Sequence, residues 1–277
     1  LGEGPFIART LRVPANLDEA AARERILQAE LGWPLILKPD RGERGRGVER
    51  VDDEAELVEA LGRRPGRVDL LAQEYVEGLE YGVLWERRPG ESEGRIVSLT
   101  IKELPEVEGD GRRTVEELIL DDARAPILYE AYRASMAEGL YRVPAVGERV
   151  RLVELGTHCR GAVFLDGRHL ATEALRRRMD EISSRLPGFH LGRYDLRATS
   201  EEALRQGRGF RILELNGLTS EPTHIYDPRT RLREAHQALA RHWEAAFAIA
   251  RANVARGATP WSHRRLLGEV ARYFGEG

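Results

Sequence analysis

Residues Phe189 to Asp227, FHLGRYDLRATSEEALRQGRGFRILELNGLTSEPTHIYD, hold two strand-like runs joined by a polar excursion. Along Phe210 to Asn216 the side chains alternate, so Glu214 and Asn216 share one face while Leu213 and Leu215 take the other. Asp195 sits at the matching place in the earlier run, Leu191 to Leu196. If the two runs are antiparallel neighbours, Asp195, Glu214 and Asn216 converge on one patch of hard oxygen. Such a patch suits Mg²⁺, which takes one or two carboxylates and completes its octahedron with phosphate and water. The competing reading is an edge strand whose polar face is simply wet.

The rest of the chain narrows the choice. Its 277 residues, 42% apolar and 32% charged, can bury the core of one large or two smaller soluble domains. No apolar run approaches the roughly 18 residues of a membrane span, and no signal-peptide pattern opens the chain. The first residue is Leu1, not methionine, which raises the expectation of a longer parent protein. A net charge of -3 gives no reason to expect nucleic acid. The single Cys159 excludes an intrachain disulfide and fits a reducing, cytoplasmic setting (the cytosolic face, if tethered). The seven histidines form no HExxH motif or Cys/His cluster, so zinc chemistry is not expected. Of 43 basic residues only Lys38 and Lys102 are lysines, each in a strand-like run. An ammonium is a compact point charge that reaches a phosphate differently from a planar guanidinium.

Asn16 or Asp18 is positioned to cap a helix running to Leu31. A strand, Trp33 to Lys38, leads to a loop, and a second strand precedes a helix from Asp52 or Asp53 to Gly62. Strand patterns recur at 68–76, then at 81–87 and 95–102 as a hairpin about Pro89-Gly90. Helices are expected at 114–120, 126–138 and 172–186, with short strands at 149–155 and 162–165. After Arg229 a helical stripe of Leu232, Leu239, Trp243, Phe247, Ala250 and Val254 reads as a packing face, and Ser262 as a later cap. The class is α+β with much antiparallel sheet.

The loop Arg41-Gly42-Glu43-Arg44-Gly45-Arg46-Gly47 lies between strands directly after Lys38. Glycines let backbone approach a phosphate, and successive N–H groups then cradle it. The loop lacks GxxxxGK[ST] and precedes a strand, which excludes the Walker and Rossmann forms. In Gln73-Glu74-Tyr75-Val76-Glu77-Gly78-Leu79-Glu80 a strand end crosses to another strand, offering backbone groups to a purine and Glu80 to ribose hydroxyls.

The order of these pieces resembles the ATP-grasp superfamily, on the side of D-alanine–D-alanine ligase and cyanophycin synthetase, over about residues 5 to 228. The resemblance implies two α+β subdomains, 1–76 and 77–228, clasping ATP, with 229–277 as a helical extension. It implies joining of a small-molecule carboxylate to an amine (or thiol) through an acyl phosphate. Lys38 and Lys102 would contact phosphates, and Gly42, Gly45 and Gly47 would form the flap. Gln73, Glu74 and Val76 would form the adenine hinge, and Glu80 would hold ribose. Asp195, Glu214 and Asn216 would bind two Mg²⁺ ions, and Arg193 would steady the acyl phosphate. Substrate contacts fall to His158, Arg160, Thr219 and Ser220. Two departures from the family stand out: the given sequence begins after the N-terminal domain that supplies another lysine in such ligases, and the substrate-side stretches Gly156 to Gly161 and Thr219 to Glu221 carry no family pattern. A kinase, or a non-catalytic nucleotide-binding module of a larger chain, remains the alternative.

Overall fold

The computed structural model describes residues 4–41, 45–63, 68–153, 156 and 160–275. Among these, strands β1 (Thr10–Val13), β2 (Leu35–Pro39), β3 (Glu49–Val51) and β4 (Leu70–Glu74) form an antiparallel sheet of order β1-β4-β2-β3. Helices α1 (Glu19–Gln28) and α2 (Glu54–Gly62) supply Ala22, Ile26, Leu57 and Leu61 to one core with Val13, Leu35, Leu37 and Ala72. The caps resolve both open choices. Asp18 accepts from the Ala21 amide and Asp53 from the Glu56 amide, satisfying donors that the first helical turn leaves unpaired.

The larger sheet holds β5 (Leu79–Glu86), β6 (Arg95–Glu103), β9 (Val163–Asp166), β10 (Leu191–Ala198) and β11 (Phe210–Asn216), in the antiparallel order β11-β10-β5-β6-β9. The α+β class and the antiparallel pairing of the two runs in 189–227 are both as expected. Between β6 and β9 the chain builds a ribbon of β7 (Glu106–Glu108) and β8 (Arg149–Arg151). Helices α3 (Val115–Asp121) and α4 (Tyr129–Met136) share its core through Val107, Ile119 and Tyr132. The single helix expected over 126–138 is broken: α4 is flanked by 3-10 turns at Ala125–Leu128 and Ala137–Tyr141.

Alternation gives the larger sheet two unlike faces. Tyr81, Val83 and Trp85 point with Tyr194 and Leu196 under α5 (Glu173–Ser184) and α6 (Glu201–Arg205), which contribute Leu175, Met179 and Leu204. On the other face Leu84 and Leu191 pack against Ala246 and Ile249 of α7 (Leu232–Ala255). Further along that face lie Glu80, Lys102, Asp195 and Arg197. One end of the face is therefore dry and helix-covered, and the other end is charged.

The packing face of α7 differs from the expected stripe. The helix buries Ala238, His242, Ala245, Ala246 and Ile249, while Leu232, Trp243, Phe247 and Val254 are exposed. The buried arc sits about 100° around the helix from the stripe. Small alanines let the helix axis come close to the sheet, whereas the bulkier stripe would hold it away. A last helix, α8 (His263–Gly275), begins where Ser262 accepts from the Arg265 amide.

The smaller sheet is tied to the larger at both ends of its sequence. At its start, the Ile212 amide donates to the Phe6 carbonyl at 2.7 Å and the Ala8 amide donates to Ile212 at 2.9 Å. At its end, Arg197 donates to the Val76 carbonyl at 2.9 Å.

Candidate functional site

Between the sheets lies a cleft of about 1220 Å³. Its wall carries Lys38, Gly45, Gln73, Glu74 and Val76 from the N-terminal side, and Glu80, Lys102, Asp195 and Glu214 from the larger sheet. The β10–β11 register sets Asp195 opposite Glu214 and Arg193 opposite Asn216, with a bulge immediately after Asp195. That bulge increases local twist beside the carboxylate pair. The same strand places Asp195 against Gly82 of β5. A Cβ on Gly82 would lie 3.3 Å from the Arg193 side chain and 3.4 Å from an Asp195 oxygen, so glycine leaves the space these groups use.

Lys102 is the centre of the deeper charge network. Its Nζ lies 3.1 Å from Glu80 Oε1, 3.3 Å from Asp195 Oδ1 and 5.9 Å from the centre of the Phe164 ring. Burial alone pulls its pKa down, but the nearby Asp195 and Glu80 carboxylates outweigh that and hold it above the usual lysine range. Glu80 also accepts from Arg197 Nε at 3.3 Å and Nη2 at 3.2 Å. Three donors thus occupy a carboxylate that can accept about four, leaving room for a ligand hydroxyl.

Asp195 is more fully engaged. It accepts from Arg193 Nε at 2.9 Å and Nη2 at 3.2 Å and from Asn216 Nδ2 at 3.2 Å, in addition to its Lys102 contact. Burial opposes its ionisation, yet Lys102 and Arg193 together lower its pKa below the usual carboxylate range. Glu214 is the reverse case. It has no hydrogen bond or ion pair among the described residues, and burial together with Asp195 pushes its pKa up. It is open to a water molecule but surrounded by protein on the cleft floor, which explains how an accessible carboxylate can still be poorly solvated.

Lys38 reaches in from β2. Its Nζ donates to Gln73 Oε1 at 3.1 Å and to the Leu213 carbonyl at 3.3 Å, and it forms no ion pair among the described residues. Burial lowers its pKa, partly offset by Glu214 and Asp195. Gln73 fixes this arm by donating to Leu213 at 3.1 Å and to Thr10 Oγ1 at 2.8 Å. The hinge is narrower than its sequence suggests. The Glu74 amide donates to Arg9 and the Val76 carbonyl accepts from Arg197, so neither of those two groups faces a base unpartnered.

Gly156 and Arg160 roof part of the cleft. A Cβ on Gly156 would fall 2.7 Å from Glu80 Oε1 and 3.0 Å from Lys102, so the backbone passes directly over that pair. Arg160, four residues on, donates to the Gly45 carbonyl at 2.8 Å and joins this roof to the glycine-rich turn. Gly45 and Gly47 both take positive φ, 73° and 69°. The predicted Gly42 and His158, with Cys159, lie outside the described residues. Ser220 is buried and donates to the Gly217 carbonyl at 2.6 Å, a local turn contact, and Thr219 is exposed beside it.

Sequence reasoning missed Arg197, which is 3% exposed and ties Val76 to Glu80. The signal was present: Arg193, Asp195 and Arg197 alternate on one strand and must share a face.

The donor set fits a divalent cation. Two carboxylates face each other across a strand pair, the Asn216 amide bonds to one of them, and the Glu214 side chain has no hydrogen bond or ion pair among the described residues. No group of three or more His, Cys, Asp or Glu suited to a metal occurs among the described residues. Two carboxylates are nonetheless sufficient for Mg²⁺ when phosphate and water complete its shell.

No protein-family model matches the chain, and no curated protein matches it. Solved structures do. A bifunctional glutathione synthetase from Pasteurella multocida is 15% identical with a TM-score of 0.41, over 86% of this chain and 34% of that one. A D-alanine–D-alanine ligase from Bacillus anthracis is 14% identical with a TM-score of 0.43, over 89% and 61%. D-cycloserine synthetase DcsG is 15% identical with a TM-score of 0.43, over 87% and 64%. All three are ligases or synthetases by name. This chain spans between a third and just under two thirds of their lengths. Superpositions this loose assign no role to any residue here, and the functional reading rests on the geometry of the cleft.

Proposed function

We propose that the chain is an ATP-grasp enzyme, an ATP- and Mg²⁺-dependent carboxylate–amine ligase acting on an amino-acid or peptide-like substrate. In this reading residues 1–76 and 77–228 are the two clasping subdomains and 229–277 an extension. The observation that carries the proposal is the pairing of Asp195 with Glu214 on the floor of a cleft that both lysines of the chain line, with Asn216 bonded to Asp195.

A carboxylate attacking a terminal phosphate brings two anions together, so positive charge must be in place beforehand. Lys102, held by Glu80 and Asp195, is a fixed charge at the cleft floor, while Lys38 has no carboxylate of its own to satisfy. Asp195, Glu214 and Asn216 would hold Mg²⁺, whose chemistry is to screen phosphate oxygens. Arg193 keeps its guanidinium beside Asp195 and would receive the oxyanion that develops as an amine adds to the activated acid. The Arg160–Gly45 contact would hold the glycine-rich turn over the phosphates and exclude water.

The experiment is ADP release with hydroxylamine as trapping amine across a panel of amino acids and dipeptides. A hydroxamate formed by wild type and absent from Arg193→Ala and Glu214→Ala supports the ligase. Phosphorylated product accumulating with no amine present would instead indicate a kinase. The saturation of Asp195 by Lys102, Arg193 and Asn216 favours a third reading, a nucleotide-binding module without turnover. Mg·ATP binding by calorimetry with no ADP release would establish that one.

A further inference from the structure

The C-terminal extension differs from the rest of the protein in both charge and surface. From Arg229 onward the sequence contains nine arginines and four glutamates, with neither lysine nor aspartate. Its net charge is +5, whereas residues 1–228 carry -8. On this basic segment Trp243, Phe247, Trp261, Leu266, Leu267 and Val270 are 44–67% exposed. Helix α7 uses its alanine-rich arc to grip the sheet and turns its bulky residues outward. Helix α8 contributes no residue to a buried core cluster among the described residues: through Arg272 each residue is exposed except the half-buried Glu269.

At about 100° per residue, Leu266, Val270 and Leu267 occupy one arc of α8, with Arg265 and Arg272 opposite and Arg264 at the border. An amphipathic helix with an arginine-rich polar face and an exposed apolar arc has the composition of one lying in a bilayer interface. The two tryptophans add rings suited to the headgroup level. We propose that the extension is a docking surface for an anionic lipid bilayer, with α8 lying in the headgroup–acyl boundary. Charge selects this occupant. An anionic surface attracts the +5 extension and repels the -8 remainder, which orients the protein with its extension toward the lipid. A symmetric contact with a second copy would instead set like-charged extensions against one another. The mode is peripheral, since no described helix is long and apolar enough to cross a membrane.

The test is co-sedimentation of the full chain with phosphatidylcholine vesicles, with and without phosphatidylglycerol. Partition should be at least about tenfold stronger with the anionic lipid and should fall as salt is raised. Leu267→Glu should weaken it by at least about tenfold, the scale of keeping one leucine in water. Arg264→Glu with Arg265→Glu should weaken it by about fivefold or more per arginine. Ile127→Glu, at a still more exposed site outside the extension, should leave it unchanged. The variants alter exposed side chains, and retention of the wild-type Tm verifies their folding. No partition, equal partition into neutral vesicles, or an Ile127→Glu effect matching that of Leu267→Glu would each overturn the proposal. So would a dimer seen by ultracentrifugation that Leu267→Glu disperses, which would assign the surface to a second copy.

Discussion

Lys38 and Lys102 line one cleft under opposite electrostatic conditions. Lys102 is fixed between two carboxylates and its charge is reinforced. Lys38 is held only by an amide oxygen and a carbonyl, and burial weakens its charge. The carboxylates of the floor show the same contrast, with Asp195 saturated by donors and Glu214 without one. One member of each pair is therefore held by the fold before any ligand arrives, and the other keeps more capacity for one.

The largest expected effect is on the structural member. Lys102→Ala leaves Glu80 and Asp195 short of a buried cation and should cost about 3–5 kcal/mol in urea unfolding. Lys38→Ala removes two hydrogen bonds but also a desolvated ammonium, so its unfolding midpoint should move by no more than about 1 kcal/mol. Calorimetry should show the opposite ranking for Mg·ATP, with Lys38→Ala losing at least about tenfold in affinity while still folded. Equal stability losses in the two variants would erase the distinction.

The carboxylates can be separated by pH. Glu214 has a raised pKa in the fold, so its ionised form opposes folding and stability declines as pH rises through the interval between its unfolded and folded values. Glu214→Gln should therefore raise Tm at neutral pH without metal, with the gain shrinking as pH falls into the ordinary carboxylate range. Asp195 has a lowered pKa, so its contribution is present above its unfolded value and is lost as pH falls through the folded one. Adding Mg²⁺ should reverse the ranking, because only the wild type gains the binding term, about 2.7 kcal/mol at a hundredfold excess over Kd. A Tm of Glu214→Gln that tracks wild type at every pH would refute the assignment. The smallest effect belongs to Arg160→Ala, which releases Gly45 and should change stability by under about 1 kcal/mol while speeding nucleotide dissociation in stopped flow.

The period of two made much of this site legible. Glu214 and Asn216 had to share a face, and antiparallel pairing brought Asp195 to them. The rarity of lysine marked the other wall. Caps were equally readable, because Asp18, Asp53 and Ser262 each accept from the amide three residues on. What escaped was tertiary. Nothing local said that α7 would bury alanines and expose Trp243, since a helix with two apolar arcs does not declare which one meets the sheet. Nor did the hinge sequence reveal that the Val76 carbonyl would be taken by an arginine from a distant strand. Such contacts depend on which surfaces meet, and single-element patterns carry no record of that.

The two ties on the smaller sheet have a mechanical consequence. Backbone pairing of Phe6 and Ala8 with Ile212 holds one end, and the Arg197–Val76 contact holds the other. Between these ends Lys38 and Gln73 add two further bonds to the Leu213 carbonyl, so a load on either end is shared along β11. The glycine-rich turn projects from β2 and β3 beyond those bonds, where the Arg160–Gly45 contact latches it to the opposite wall.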